Sequence, residues 1–130
     1  NRVAMVSTIY FIKQNNFRVN IHVEGTIMLN AMSEKLYQDA LKNIKYQNVV
    51  LNAMGLDEKA KIIVNLGGAY NNREEAIERF KVTFRELDEA IKKRIVLNNS
   101  DNIFASSKET SIFNNSSFNC FLEGGSNCIT

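Results

Sequence analysis

The sequence predicts an α/β fold built on parallel strands, and three observations carry that prediction. Three short apolar runs, residues 17–23, 61–66 and 94–98, have strand character, and each ends on or near a polar residue. Helical periodicity fills the chain before the first run and between the others. The intervening segments are long enough for a helix each, the crossover that joins parallel strands right-handedly.

Residues 1–16 carry Val3, Val6, Ile9, Tyr10 and Ile12 at helical spacing and stop at Asn15 and Asn16, which predicts a helix and a short turn. Residues 17–23 alternate: Phe17, Val19, Ile21 and Val23 point one way, and Arg18, Asn20 and His22 the other. After a loop over 24–30, Ser33 is the expected N-cap of a helix reaching about Met54, with Tyr37, Ala40, Leu41, Ile44 and Leu51 as its buried stripe and Gly55 closing it. Residues 61–66 are nearly continuous in apolar side chains, the pattern of a strand covered on both faces. Asn72 followed by Glu75 opens a helix read over 72–93, in which Ala76, Ile77, Phe80, Phe84, Leu87 and Ile91 repeat at three and four. Residues 94–98 form the third strand. From about Ala105 the chain turns rich in Ser and Asn with no sustained period and reads as a poorly ordered tail.

At 130 residues, 45% hydrophobic and 23% charged, the chain has the composition of one globular domain. A net charge of +2 and a pI near 8.6 permit a nucleic-acid partner without pointing to one. No apolar run approaches a membrane span, so a cytoplasmic location is expected. Cys120 and Cys128 lie near the end with no histidine beside them and read as free thiols. His22 is the sole histidine, which excludes chemistry needing several imidazoles from this chain. The chain opens on Asn1 within a helical pattern, so a piece of a longer protein is expected.

In parallel α/β proteins, ligands gather where strands end and loops leave them. His22, Asn65 and Asn98 lie at three such ends and are expected at one height on a shared rim. An imidazole is a good ligand for a transition metal and neutral amides are poor ones. A lone histidine at a strand end is more commonly a hydrogen-bonded residue than a ligand, and asparagine there commonly caps a turn. Gly67 and Gly68 follow the second strand without the lysine or glycine spacing of a phosphate loop.

The run AMGLDEKAKIIVNLGGAYNNREEAIERFKVTFRELDEAIKKRIVLNNSD, residues 53–101, closely resembles the central part of the UV damage endonucleases. Gly67, Gly68, Glu78, Arg79, Phe80 and Arg94 match in order, and the likeness runs back through FRVNIHVEGTIMLN and the helix before it, covering roughly residues 1–104. The resemblance implies a TIM barrel related to endonuclease IV and the xylose isomerases. It also implies divalent metal, typically manganese, at the carboxyl rim, and nicking of damaged double-stranded DNA on the 5′ side of UV photoproducts. A complete barrel needs roughly 250 residues, so this chain is expected to supply about three parallel βα units. Open edges would then favour self-association or a complementing chain.

Carried over by position, His22 stands at a family metal-binding histidine, Asn65 where the family has a histidine, and Asn98 where it has a glutamate. Asn99 and Asp101 match the family, and Ser100 replaces an aspartate. Gly25 and Thr26 stand at the two positions that probe damaged DNA, and Glu24 adds a carboxylate nearby. No catalytic residue is assigned. The resulting expectation is a UV damage endonuclease-like partial barrel over 1–104 with a tail over 105–130, impaired in metal binding and catalysis. The alternatives are a non-catalytic binding or assembly module, or a decayed fragment.

Overall fold

The computed structural model describes residues 2–68 and 71–98. In order they form α1 (Arg2–Gln14), β1 (Asn20–His22), α2 (Glu34–Ala53), β2 (Lys61–Asn65), α3 (Arg73–Glu86), α4 (Glu89–Lys92) and β3 (Ile95–Asn98). The strands make one parallel sheet in the order β1-β2-β3, as helical crossovers require. Asn20, Ile21 and His22 face Lys61, Ile62 and Ile63, and Ile62 to Asn65 face Ile95 to Asn98 residue for residue.

The helix ends follow the capping chemistry of the sequence. The Ser33 hydroxyl accepts the Leu36 N–H at 3.2 Å, and the Asn72 side-chain oxygen accepts the Glu75 N–H at 3.2 Å. Gly55 turns α2 off at φ +70°, which lets the Leu56 N–H reach the Leu51 carbonyl at 3.1 Å.

Three expectations are corrected. The helix read over 72–93 is two helices: Leu87 is extended (φ −71°, ψ 147°), and Asp88 starts α4. Leu87 and Ile91 are both buried, so the apolar period continues across a break it cannot reveal. The first strand is shorter than 17–23, because pairing begins at Asn20, whose side-chain oxygen also accepts the Lys61 N–H at 3.1 Å; Phe17 stays exposed. The second strand is covered on one face only. Ile62 and Val64 are fully buried, while Lys61, Ile63 and Asn65 are half-buried on the inner face.

The core lies between the sheet and the helices. Ile62, Val64, Leu66, Val23, Ile95 and Leu97 meet Ile44 and Leu51 of α2, Ala76, Phe80 and Phe84 of α3, and Ile91 of α4. Each fully buried large side chain contributes about 1.5–3 kcal/mol by leaving water. Phe80 and Phe84 add a tilted ring contact at 6.0 Å. By contrast α1 buries no residue, and Val3, Val6, Tyr10 and Phe11 are exposed. Among the described residues no helix is long and apolar enough to cross a membrane. The tail over 105–130, with Cys120 and Cys128, lies outside the described residues.

Arg94 joins these layers from below the sheet. Its guanidinium is buried and donates to the carbonyls of Leu56 at 2.8 Å and Asp57 at 3.2 Å, with the Asn48 carbonyl at 3.4 Å. The charge therefore satisfies carbonyls at and beyond the carboxyl end of α2, where the helix dipole is negative.

Candidate functional site

The pleat decides which side chains reach the inner face. His22, Ile63 and Val96 occupy one row across the three strands, and Asn65 and Asn98 pair directly one pleat further toward the carboxyl rim. The single height expected for His22, Asn65 and Asn98 is thus a step: His22 sits opposite Ile63 rather than Asn65. All three still share a face, and their side chains meet.

The contacts form one chain of hydrogen bonds. His22 Nδ1 lies 2.8 Å from the Val23 carbonyl, which can only accept, so Nδ1 carries the ring hydrogen. In the neutral ring Nε2 is then an acceptor, and the Asn98 amide nitrogen stands 3.2 Å from it. The same amide nitrogen donates to the Asn65 side-chain oxygen at 3.1 Å. Asn98 thereby places a donor on each of two neighbours. Turning its amide over would set its oxygen against a ring lone pair and a second amide oxygen, so the network fixes its orientation.

This donor set does not fit a divalent cation. One imidazole and two neutral amides converge, and one Asn98 N–H covers the imidazole lone pair that would bind metal while the other is given to Asn65. Among the described residues no group of three or more His, Cys, Asp or Glu side chains is placed to hold a metal ion. Glu24 is exposed in the turn after β1 and joins no such group. Gly25 and Thr26 lie in the same turn, both exposed; a Cβ on Gly25 would meet the Asn65 amide nitrogen at 3.5 Å, an ordinary contact. Asn99, Ser100 and Asp101 lie outside the described residues.

The turn after β2 has a support that the sequence does not advertise. Asn30 is fully buried and donates to the Gly68 carbonyl at 2.8 Å, and its own carbonyl accepts Arg79 Nε at 3.2 Å. Gly67 takes φ +100°, and a Cβ there would overlap the Asn30 side-chain oxygen. Asn30 reads in sequence as the last residue of the loop over 24–30. Its burial depends on contacts 38 and 49 residues away, which no local pattern encodes.

Fold and rim together define a segment of a parallel α/β barrel with polar side chains at its strand ends. A family profile described as UV-endonuclease UvdE matches residues 5–116. A UV DNA damage endonuclease of Bacillus cereus is 32% identical over 101 residues, spanning 78% of this chain and 32% of the relative. One from Clostridium perfringens is 34% identical over 95 residues, 73% of this chain and 23% of the relative. The crystal structure of SacUVDE superposes with a TM-score of 0.69 at 32% identity, covering 77% of this chain and 34% of that one. The chain belongs to the UvdE family of UV DNA damage endonucleases, and its fold is a partial TIM barrel. It spans about a third of the length of the Bacillus relative.

Proposed function

We propose that this chain is a UV damage endonuclease-like barrel segment in which the nicking chemistry is impaired. The family reading is metal-dependent hydrolysis of a phosphodiester, with manganese as the expected cation, on the 5′ side of UV photoproducts in double-stranded DNA. One observation carries the impairment: the Asn98 amide nitrogen, a donor, faces the His22 Nε2 lone pair at 3.2 Å, where a family member would have a glutamate. Bound divalent cations supply activated hydroxide and clamp the phosphate in such hydrolyses. His22 with Asn65 and Asn98 is a poor host for one, so no step is assigned through it. Gly25 and Thr26, exposed beyond β1, are the positions proposed to face damaged DNA. The division into a barrel part over 1–104 and a tail over 105–130 belongs to the same proposal, as does a cytoplasmic location.

The test is nicking of UV-irradiated supercoiled plasmid in manganese. The expected result is no nicking above an unirradiated control. Nicking by the parent that His22→Ala abolishes would overturn the reading. Calorimetry should find manganese affinity no tighter than roughly 1 mM, about −4 kcal/mol.

A second reading, an assembly module without catalysis, is favoured by the half-buried inner row of Ile63 and Val96 and by the outer edge of β1, which pairs with no further strand among the described residues. It predicts association with itself or a complementing chain, read by sedimentation velocity across a concentration series. A monomer at every concentration excludes self-association.

A further inference from the structure

We infer that Asn98 is the central member of a hydrogen-bonded clasp that ties the carboxyl ends of β1, β2 and β3 together in place of a cation. The inference rests on the reading that this rim holds no tightly bound metal, and it assigns what the three residues do instead.

The arrangement of His22 is half that of a metal ligand. Metal-binding histidines usually donate one ring N–H to a carbonyl or carboxylate, which aims the other nitrogen's lone pair at the metal. His22 has that first feature, Nδ1–H to the Val23 carbonyl at 2.8 Å. The lone pair so aimed meets the Asn98 amide nitrogen, whose second hydrogen goes to the Asn65 oxygen at 3.1 Å. Donors and acceptors alternate along the path from the Val23 carbonyl to Asn65, with each contact complementary. A cation at Nε2 would have to break both Asn98 bonds and accept amide oxygens in exchange.

The clasp bridges strands that lack direct contact. β1 and β3 both pair with β2 and not with each other, and the His22 to Asn98 bond joins residues 76 apart across the face of β2. Aspartate at 98 would keep the shape and remove both donors. Its oxygens would then face a ring lone pair and the Asn65 oxygen. Against a neutral ring and without a cation that arrangement is repulsive, and with one it is a carboxylate–imidazole pair of the kind divalent transition metals take.

The primary measurement uses the parent protein. Because His22 is the sole histidine, a long-range proton–nitrogen correlation spectrum of the 15N-labelled full chain at pH 8 reads one ring. The expected result is a neutral ring protonated at Nδ1. A ring protonated at Nε2, or one averaging both forms, overturns the clasp even if the protein proves inactive on DNA. A manganese titration followed by paramagnetic broadening is the second arm. The parent ring signals should show no selective broadening below millimolar manganese. Asn98→Asp should melt below the parent without metal, recover with manganese, and bind it at least ~10-fold more tightly. Selective broadening in the parent, or an Asp variant matching the parent in melting and in metal response, sinks the inference. Should the Asp variant fail to fold, the tautomer of the parent still decides.

Discussion

Replacing Arg94 by methionine should unfasten the carboxyl end of α2 from the sheet. Arg94 is 4% exposed, and its guanidinium contacts three carbonyls, at 2.8, 3.2 and 3.4 Å. The longest counts little, because hydrogen bonds weaken steeply with distance and misalignment. Each of the other two, from a charged donor, contributes about 1.5–3 kcal/mol, so about 3–6 kcal/mol of interaction is removed. Methionine retains most of the apolar stem and ends the burial of a charge, which brings the expected net loss to about 2–3 kcal/mol. That is a large fraction of the 5–15 kcal/mol, roughly, that holds a typical domain folded. Arg94→Lys keeps the charge without the planar fork and should lose about half as much. Urea titration by circular dichroism measures the loss as a lower midpoint at unchanged slope. A methionine variant within about 0.5 kcal/mol of the parent, the range of an ordinary surface change, would refute the idea that the guanidinium holds this helix end.

Two further substitutions probe the turn and the sheet. Gly67→Ala forces a side chain into a left-handed backbone position and against the buried Asn30 oxygen, so about 2–4 kcal/mol of stability should be lost; an unchanged melting temperature would mean the turn relaxes freely. Neighbouring isoleucines of β2 should answer oppositely. Ile62→Ala opens a cavity in the core and should cost about 2–5 kcal/mol, whereas Ile63→Ala, on the half-buried inner face, should cost about 1 kcal/mol. Equal losses at the two positions would show that the inner face is covered in solution.

Much of this fold is legible in the sequence because its causes are local. Ser33, Gly55 and Asn72 act within a few residues of themselves, and all three cap where the chain predicts. The alternation around Ile21 and His22 likewise gives the inward and outward faces. What escaped depends on partners remote in sequence. The register that sets His22 opposite Ile63 is a property of two strands remote in sequence, which the alternation around His22 does not encode. The break at Leu87 is hidden because the turn returns Ile91 to the core at helical spacing. Asn30 looks like loop material until Gly68 and Arg79 close on it. At the rim, the residue types announced poor ligands, but which atom faces which is a property of three strands at once.

The order β1-β2-β3 also fixes which part of the molecule opens last. β2 shares its ladder with a neighbour on each side, whereas β1 and β3 are each held on one side within the described residues. Amide hydrogens of Ile62, flanked by both neighbours, and of Val64, paired with Leu97, lie at full burial and can exchange with solvent deuterium only when the sheet comes apart, so their protection should report global unfolding. The amides of α1, a helix with no buried residue, should exchange through local fraying at far smaller free energy. The chain is thus graded from a slow-opening central strand to a helix that opens on its own.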